Sequence, residues 1–457
     1  MPERQMKLGL FMLPTGQHVA AWRLPESRTD MHIDAGYYAE LAREIEAAKF
    51  DLLFLADGDG IHGGWPLEAL SHTANRVVAQ FEPLTLLSAL SQTTSKVGLV
   101  ATASTTYYEP YRVARLFASL DLMSGGRAGW NVVTTANTDS GENFGYADGL
   151  SAEQRYHRAE EFVDVVKGLW QSWEDDAFLR DKQTGQFFDH TKLHTLNHAG
   201  AHFNVRGPLN VPRSRQGHPV IVQAGSSGPG KALAARTAEI VFTAQPDKKK
   251  AQQFHAEIKT LAEQHGRSAE AIKIMPGLAV TVARTEDEAL EKMAQLQSLI
   301  DPTVGLAHLS SFVGFDLSGY PLDGPLPEIP EASAKLIQSR QQLFIDMARR
   351  ENLSIRQLYI RASVSKGHLN AVGSFKQVAD LMEEWFVEKA ADGFNVMPST
   401  MTGGVADFAR LVVPELQRRG LFRKEYEGAT LREHLGLARP GSRLRPQPEL
   451  REQVSAG

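Results

Sequence analysis

Residues Pro219–Lys231 read PVIVQAGSSGPGK. The first six, Pro219–Ala224, are a short apolar run with β-branched residues, which predicts a buried strand. Gly225–Gly228 are small turn residues, and Pro229 suits the first turn of a helix that continues from about Gly230 to Thr237. A strand running straight into a helix is one βα unit, the repeating element of a parallel sheet with crossover helices.

The same rhythm extends outward in both directions. Upstream, Lys7–Leu13, Asp51–Ala56, Val97–Ala103 and Gly129–Thr134 read as strands. Between and after them, Tyr37–Lys49, Glu82–Thr94, Tyr111–Leu122 and Ala152–Trp173 read as helices. The last of these is the clearest, because Phe162, Val165, Val166, Leu169, Trp170 and Trp173 follow the helical repeat. Downstream come strands Ile240–Ala244, Ile272–Val282 and Phe394–Pro398, with helices Lys248–His265 and Val405–Arg419. Eight strands in this alternation predict an α/β fold, a (β/α)8 TIM barrel with insertion segments; an open doubly wound sheet is the alternative. The expected organisation is one barrel over 1–437, interrupted at about 174–217 and 301–372, and a Pro- and Arg-containing arm over 438–457. So long an interruption as 301–372 predicts a lid or binding segment.

Composition narrows the function. The chain has 457 residues, 42% hydrophobic and 23% charged, ordinary values for a globular protein. A net charge of −5 gives no basic field for nucleic acid or an anionic membrane. With no cysteine, disulfides, thiolate metal sites, cysteine-ligated clusters and a cysteine nucleophile are excluded. Without an apolar leader or a run of 18 apolar residues, the expectation is a cytoplasmic protein.

Chemistry enters at Gln223–Lys231. Small residues between a strand and a helix let backbone approach an anion, and the first helical N–H groups and the helix dipole favour phosphate. Ser226 and Ser227 add hydroxyl donors. The plain reading is a βα turn with a serine cap. Gly225, Gly230 and Lys231 nearly spell a nucleotide-triphosphate loop, but Ala232 stands where Ser or Thr must hold Mg²⁺. The histidines His190, His194, His198 and His202 recur every four residues, yet Asp189, Asn197 and Gly200 between them suggest a hairpin rather than one helical metal face. No metal site is expected.

Several blocks, in order and spacing, carry a resemblance. They are Gly9-Leu10-Phe11 with Ala21-Trp22-Arg23, then Lys49–Asp57 (KFDLLFLAD), then Ala101–Tyr111 (ATASTTYYEPY). Asp121–Thr134 (DLMSGGRAGWNVVT), Arg155–Phe162 (RYHRAEEF), Gln223–Ser227 and Ala390–Phe394 (AADGF) complete the set. Over about residues 5–437 the chain resembles the bacterial-luciferase-like superfamily, in the branch of nitrilotriacetate, dibenzothiophene-sulfone and pristinamycin-synthase-type monooxygenases.

That resemblance implies a barrel holding FMN, bound as FMNH₂, at the C-terminal ends of its strands. It implies that one oxygen atom of O₂ is inserted into a small aminopolycarboxylate, sulfone or related nitrogen or sulfur compound, through a flavin C4a-peroxide. Carried over by motif, Tyr156, Ser226 and Ser227 hold the phosphate, while Asp57, Thr102 and Asn131 lie by the ring. Many members have histidine four residues before the tyrosine; here that position is Ala152. On the residues alone, Asp57 reads equally as a turn residue before Gly58, Thr102 as packing and Tyr156 as a helix-start residue. Asn131 stands out, because an amide inside an apolar strand needs partners.

Phe11, Phe54 and Phe242 are the candidate substrate-side rings, with plain core as the alternative. His18 and His308 are the candidate catalytic residues, expected in loops, with solvated loop histidines as the alternative. Arg23 is the cation nominated near the mouth. The resemblance also implies a separate NAD(P)H:FMN reductase, since the family lacks a nicotinamide domain of its own; the absence of G-x-G-x-x-G after the first strand agrees with that. Family habit implies a homodimer or homotetramer. The rival readings are an F420-dependent oxidoreductase of the same superfamily and a non-enzymatic flavin- or phosphate-binding protein.

Overall fold

Strands form, in chain order, at Lys7–Phe11 (β1), Leu52–Leu55 (β2), Gly98–Ser104 (β3), Ala128–Val133 (β4), His198–Ala199 (β5), Asn204–Val205 (β6), Val220–Ala224 (β7), Ile240–Thr243 (β8), Lys273–Ala283 (β9), Leu369–Ser374 (β10) and Gly393–Pro398 (β11). This computed structural model describes residues 4–61, 65–74, 80–135, 138–145, 150–330 and 338–442. The eight strands read from apolar runs all form close to their expected positions. β1 pairs in parallel with β2 and β11, β2 with β3, β3 with β4, β4 with β7, β7 with β8, and β9 with both β8 and β11. The ring therefore closes, and the fold is a (β/α)8 barrel rather than an open sheet.

The side chains sort as closure demands. Leu52, Phe54, Val100, Val220, Val222, Ile240 and Met275 make one buried cluster inside the barrel. Leu431 and Leu435, from the short helix Leu431–Leu435, join it. Leu431 lies over Gly98 and Gly129, near the starts of β3 and β4, so this helix plugs the N-terminal end. A larger core fills the layer between strands and outer helices, with Phe117, Trp130, Phe162 and Trp170 in contact.

The outer helices start on local signals. Ala35–Ala47 is capped by Asp34, Pro83–Leu90 by Glu82, and Ala152–Leu169 by a Ser151/Gln154 capping box. The helix after β11 is drawn into a π-type turn at Phe408–Val412.

The two interruptions have structure of their own. β5 and β6 form an antiparallel hairpin. His198 Nε2 and the backbone N–H groups of His202 and Phe203 all bind the Glu161 carboxylate, each at 2.9 Å. His194 pairs with Glu174 at 2.9 Å. Glu161 thus docks the hairpin on the helix Ala152–Leu169.

The second stretch contains helices Pro302–Val313, Gln338–Glu351 and Ile355–Ser365. Val304, Leu309, Val313, Phe344, Leu358 and Tyr359 make a separate core with Val19, Ala20, Trp65 and Leu70, which lie on the segments leaving the C-terminal ends of β1 and β2. The helical module therefore covers that end of the barrel. It returns through β10, which pairs with the protruding half of β9, Leu278–Ala283, beyond the reach of β8. Of the expected terminal arm, 443–457 lie outside the described residues. Its start is pinned where Arg439 binds Asp175.

Candidate cofactor and substrate site

The C-terminal ends of the strands bring most of the nominated residues to one mouth. Ser227 is the N-cap of the helix Gly228–Thr237: its Oγ accepts from Gly230 N–H at 3.2 Å and lies 3.2 Å from the Tyr156 hydroxyl. Tyr156 arrives there because the capping box starts its helix four residues earlier. Ser226, Ser227, Gly228 and Pro229 are exposed. A Cβ at Gly230 would lie 3.0 Å from both the Ser227 and Tyr156 oxygens, so a larger residue there would press on the two hydroxyls. Two hydroxyls, small turn residues and a helix N-terminus thus face one open cradle.

Deeper in, Asn131 and Thr102 sit opposite each other across β3 and β4. Thr102 Oγ1 donates to the Leu55 carbonyl at 2.8 Å and accepts from Asn131 Nδ2 at 2.9 Å. The Asn131 Oδ1 is buried and has no donor among the described residues. A buried acceptor without a partner costs about 1–3 kcal/mol, so it calls for a group bearing an N–H or O–H. Asp57 follows β2 and accepts from Gly58 N–H at 2.9 Å and Gln80 Nε2 at 3.0 Å. Burial pushes its carboxyl up to about 6; the two donors oppose this, while Asp59 and Glu82 reinforce it.

Phe11, Phe54 and Phe242 form a triangle of rings with centroids 5.1, 5.6 and 5.7 Å apart. Phe54 is buried, whereas Phe11 and Phe242 are partly open, so the cluster is core below and pocket wall above.

The histidine expectations need correction in their setting. His18 does lie in the loop after β1, but it is fully buried, and burial with the nearby Lys366 charge holds its imidazole down to about 3. His308 is not in a loop. It sits in Pro302–Val313, where Asp301 caps the helix and Pro302 opens it, and it packs against Trp65 and Phe312 with centroids 5.6 and 4.6 Å away. Neither is a solvated histidine. Arg23 is exposed and donates to the Leu299 carbonyl, at the base of the helical module.

Sequence reading missed His368. It immediately precedes β10 and stacks on Phe242 at 5.3 Å and 30°. Gly277 of β9 makes room: a Cβ there would lie 2.5 Å from His368 Nδ1 and 2.6 Å from the Met397 sulfur. The available signal was Gly277 within a strand of otherwise larger residues, which marks a close approach.

An open cradle of hydroxyls at a helix N-terminus, a buried amide acceptor with no donor among the described residues and an aromatic wall all lie at the C-terminal mouth of a (β/α)8 barrel, where enzymes of this fold carry their sites. Comparison with known proteins makes the assignment specific. The luciferase-like monooxygenase family matches residues 6–392, and the chain belongs to it. The N-acetyl-S-(2-succino)cysteine monooxygenase of Bacillus subtilis (strain 168) is 53% identical over 442 residues, 96% of this chain and 98% of that one. Nitrilotriacetate monooxygenase component A of Aminobacter aminovorans is 50% identical over 444 residues, 96% and 97% of the two chains. The crystal structure of a riboflavin lyase, RcaE, with modified FMN and riboflavin, superposes with a TM-score of 0.84 at 32% identity, covering 96% of this chain and 97% of that one. The chain is a flavin-dependent monooxygenase of the branch its sequence blocks resemble.

Proposed function

We propose that this chain is the oxygenase component of a two-component system, taking FMNH₂ from a separate NAD(P)H:FMN reductase. It places one atom of O₂ on a small nitrogen or sulfur compound. The observation that carries the reading is the Ser227–Tyr156–Gly230 cradle at the same mouth as the unpaired Asn131 carbonyl, which suits a molecule with phosphate at one end and a ring N–H at the other.

Bound reduced FMN supplies the two electrons that O₂ activation needs. Ser227, Ser226 and Tyr156 hold the phosphate by donated hydrogen bonds, reinforced by the helix terminus. Asn131 accepts from the ring system, and Thr102 keeps that amide from turning by accepting its N–H. Asp57 stands at the edge of the same space. Phe11, Phe54 and Phe242 form the apolar floor for substrate. The helical module between β9 and β10 excludes water. His308 is the group available to hold or pass a proton, while His18, whose protonated form burial disfavours, acts as a neutral imidazole.

The names of the relatives support the component picture. One is a single component of nitrilotriacetate monooxygenase, and two others are the paired subunits of the pristinamycin IIA synthase of Streptomyces pristinaespiralis, both similar to this chain. The names also support a heteroatom-containing substrate. A homodimer or homotetramer in the cytoplasm is the expected working form.

The test supplies FMNH₂ from a reductase under ¹⁸O₂ with N-acetyl-S-(2-succino)cysteine, nitrilotriacetate and dibenzothiophene sulfone. The expected result is a flavin-dependent product carrying one labelled oxygen. Flavin oxidation with hydrogen peroxide as the sole labelled species across that panel and related thioethers and amines overturns the reading.

A further inference from the structure

Strand β7, Val-Ile-Val-Gln-Ala, is apolar except for Gln223. Val222 belongs to the cluster inside the barrel, so strand alternation turns Gln223 outward, to the side of the helix Gly228–Thr237. The side chain is buried there, with 2% of the residue exposed. Its Nε2 donates to the Gly230 carbonyl at 3.1 Å. The N–H of the same residue donates to Ser227 Oγ at 3.2 Å. Gly230, in the first turn of the helix, is thus held by its N–H to the cap and by its carbonyl to the strand. The turn closes tightly over this amide. A Cβ on Gly225 would lie 3.5 Å from the Gly230 Cα and 3.9 Å from Gln223 Nε2.

The other end of the amide is unsatisfied. Gln223 Oε1 is buried and has no donor among the described residues. One hydrogen bond made and one buried acceptor left without a donor add little or nothing to the stability of the fold. An apolar side chain of equal length would serve β7 as well. What the amide does contribute is local order. Gly225, Gly228 and Gly230 give the turn backbone freedom that a bound anion would have to remove. A turn fixed beforehand binds its ligand without that loss.

We propose that Gln223 is the positioning residue of the phosphate cradle. It does not touch the phosphate. Through the Gly230 carbonyl it holds the first helical turn, and with it the Ser227 hydroxyl, in the arrangement that meets the anion. This rests on the flavin reading of the mouth, and it ties Gln223 to one part of the ligand only: the residue favours FMN over riboflavin and leaves the affinity for the ring system alone.

The test measures Kd for FMN and for riboflavin by fluorescence quenching with the purified full chain, in wild type, Gln223→Met and Gln223→Glu. Both substitutions keep the length of the side chain and remove the N–H donor. Wild type is expected to bind FMN at least about tenfold tighter than riboflavin. Each variant should lose about fivefold of that preference, with riboflavin affinity unchanged. Gln223→Met should melt with wild type, since it also removes the unsatisfied acceptor. A wild-type preference that survives in both variants overturns the proposal. So does an equal loss of both flavins, or a Gln223→Met protein that melts far below wild type, because each makes Gln223 a part of the fold and nothing more. Wild type that binds FMN no better than riboflavin defeats the phosphate reading itself, and this inference with it.

Discussion

Replacing Ser227 in two ways separates its two jobs. As a helix N-cap its Oγ accepts from Gly230 N–H at 3.2 Å. Loss of such a cap to alanine costs about 1 kcal/mol, whereas glycine loses only a few tenths. As a phosphate ligand its hydroxyl donates to an anion, and a hydrogen bond to a charged group contributes about 1.5–3 kcal/mol, or roughly tenfold to a hundredfold in Kd. Ser227→Ala is therefore expected to lower both stability and FMN affinity. Ser227→Gly is expected to lower FMN affinity by the same factor while nearly keeping the stability of wild type. Denaturant unfolding of the flavin-free protein reads the first quantity, and quenching of FMN fluorescence reads the second. If Ser227→Ala loses stability while both variants bind FMN as wild type does, Ser227 is a cap and nothing more, and the phosphate site fails with it.

Three further outcomes follow from particular contacts. Asp57 has its folded pKa raised to about 6, so the folded state holds a proton that the unfolded chain has released. Its contribution to stability should fall as pH rises from about 4 to about 6, as should that of buried Asp121, also raised to about 6, while His18 and His218, held down to about 3, contribute a rise over the same window. Asp57→Asn should therefore make the slope of stability with pH more positive there in urea unfolding; an unchanged slope contradicts the assignment. Leu431→Ala should cost about 2–5 kcal/mol, since its fully buried side chain plugs the barrel; a loss below about 1 kcal/mol would mean that the helix Leu431–Leu435 is dispensable. Glu161→Gln weakens the carboxylate that accepts from His198, His202 and Phe203. At about 1 kcal/mol, amide exchange at His202 and Phe203 should quicken about fivefold; unchanged exchange means that the hairpin docks without it.

The barrel was legible because its strands are buried on both faces and so read as continuous apolar runs between turn residues. Closure was not legible from any one strand; it depends on β11 finding both β1 and β9. β10 escaped because Leu369–Ser374 mixes Asn370, Gly373 and Ser374 into a short run, and it pairs with the length of β9 that β8 does not reach. The helix carrying His308 escaped because Gly305, His308, Ser310 and Ser311 dilute its apolar face, although Asp301-Pro302 was a sound start signal. The turn and cap at Ser226–Gly230 were readable, since capping, small residues and a strand–turn–helix order are local. Asn131 was readable as an anomaly, a polar amide inside an apolar strand. His368 was not, because what places it is a turn that joins a distant helix to the barrel rim. Nothing in its own neighbourhood of sequence says that Phe242 and Gly277 will lie beneath it.

The most direct test of the central claim is an anaerobic titration of the full chain with FMNH₂, with reduced F420 in parallel. The account predicts saturable FMNH₂ binding with little affinity for F420, weakened by Tyr156→Phe and by Asn131→Ala. No binding of FMNH₂, or a preference for F420, would contradict it.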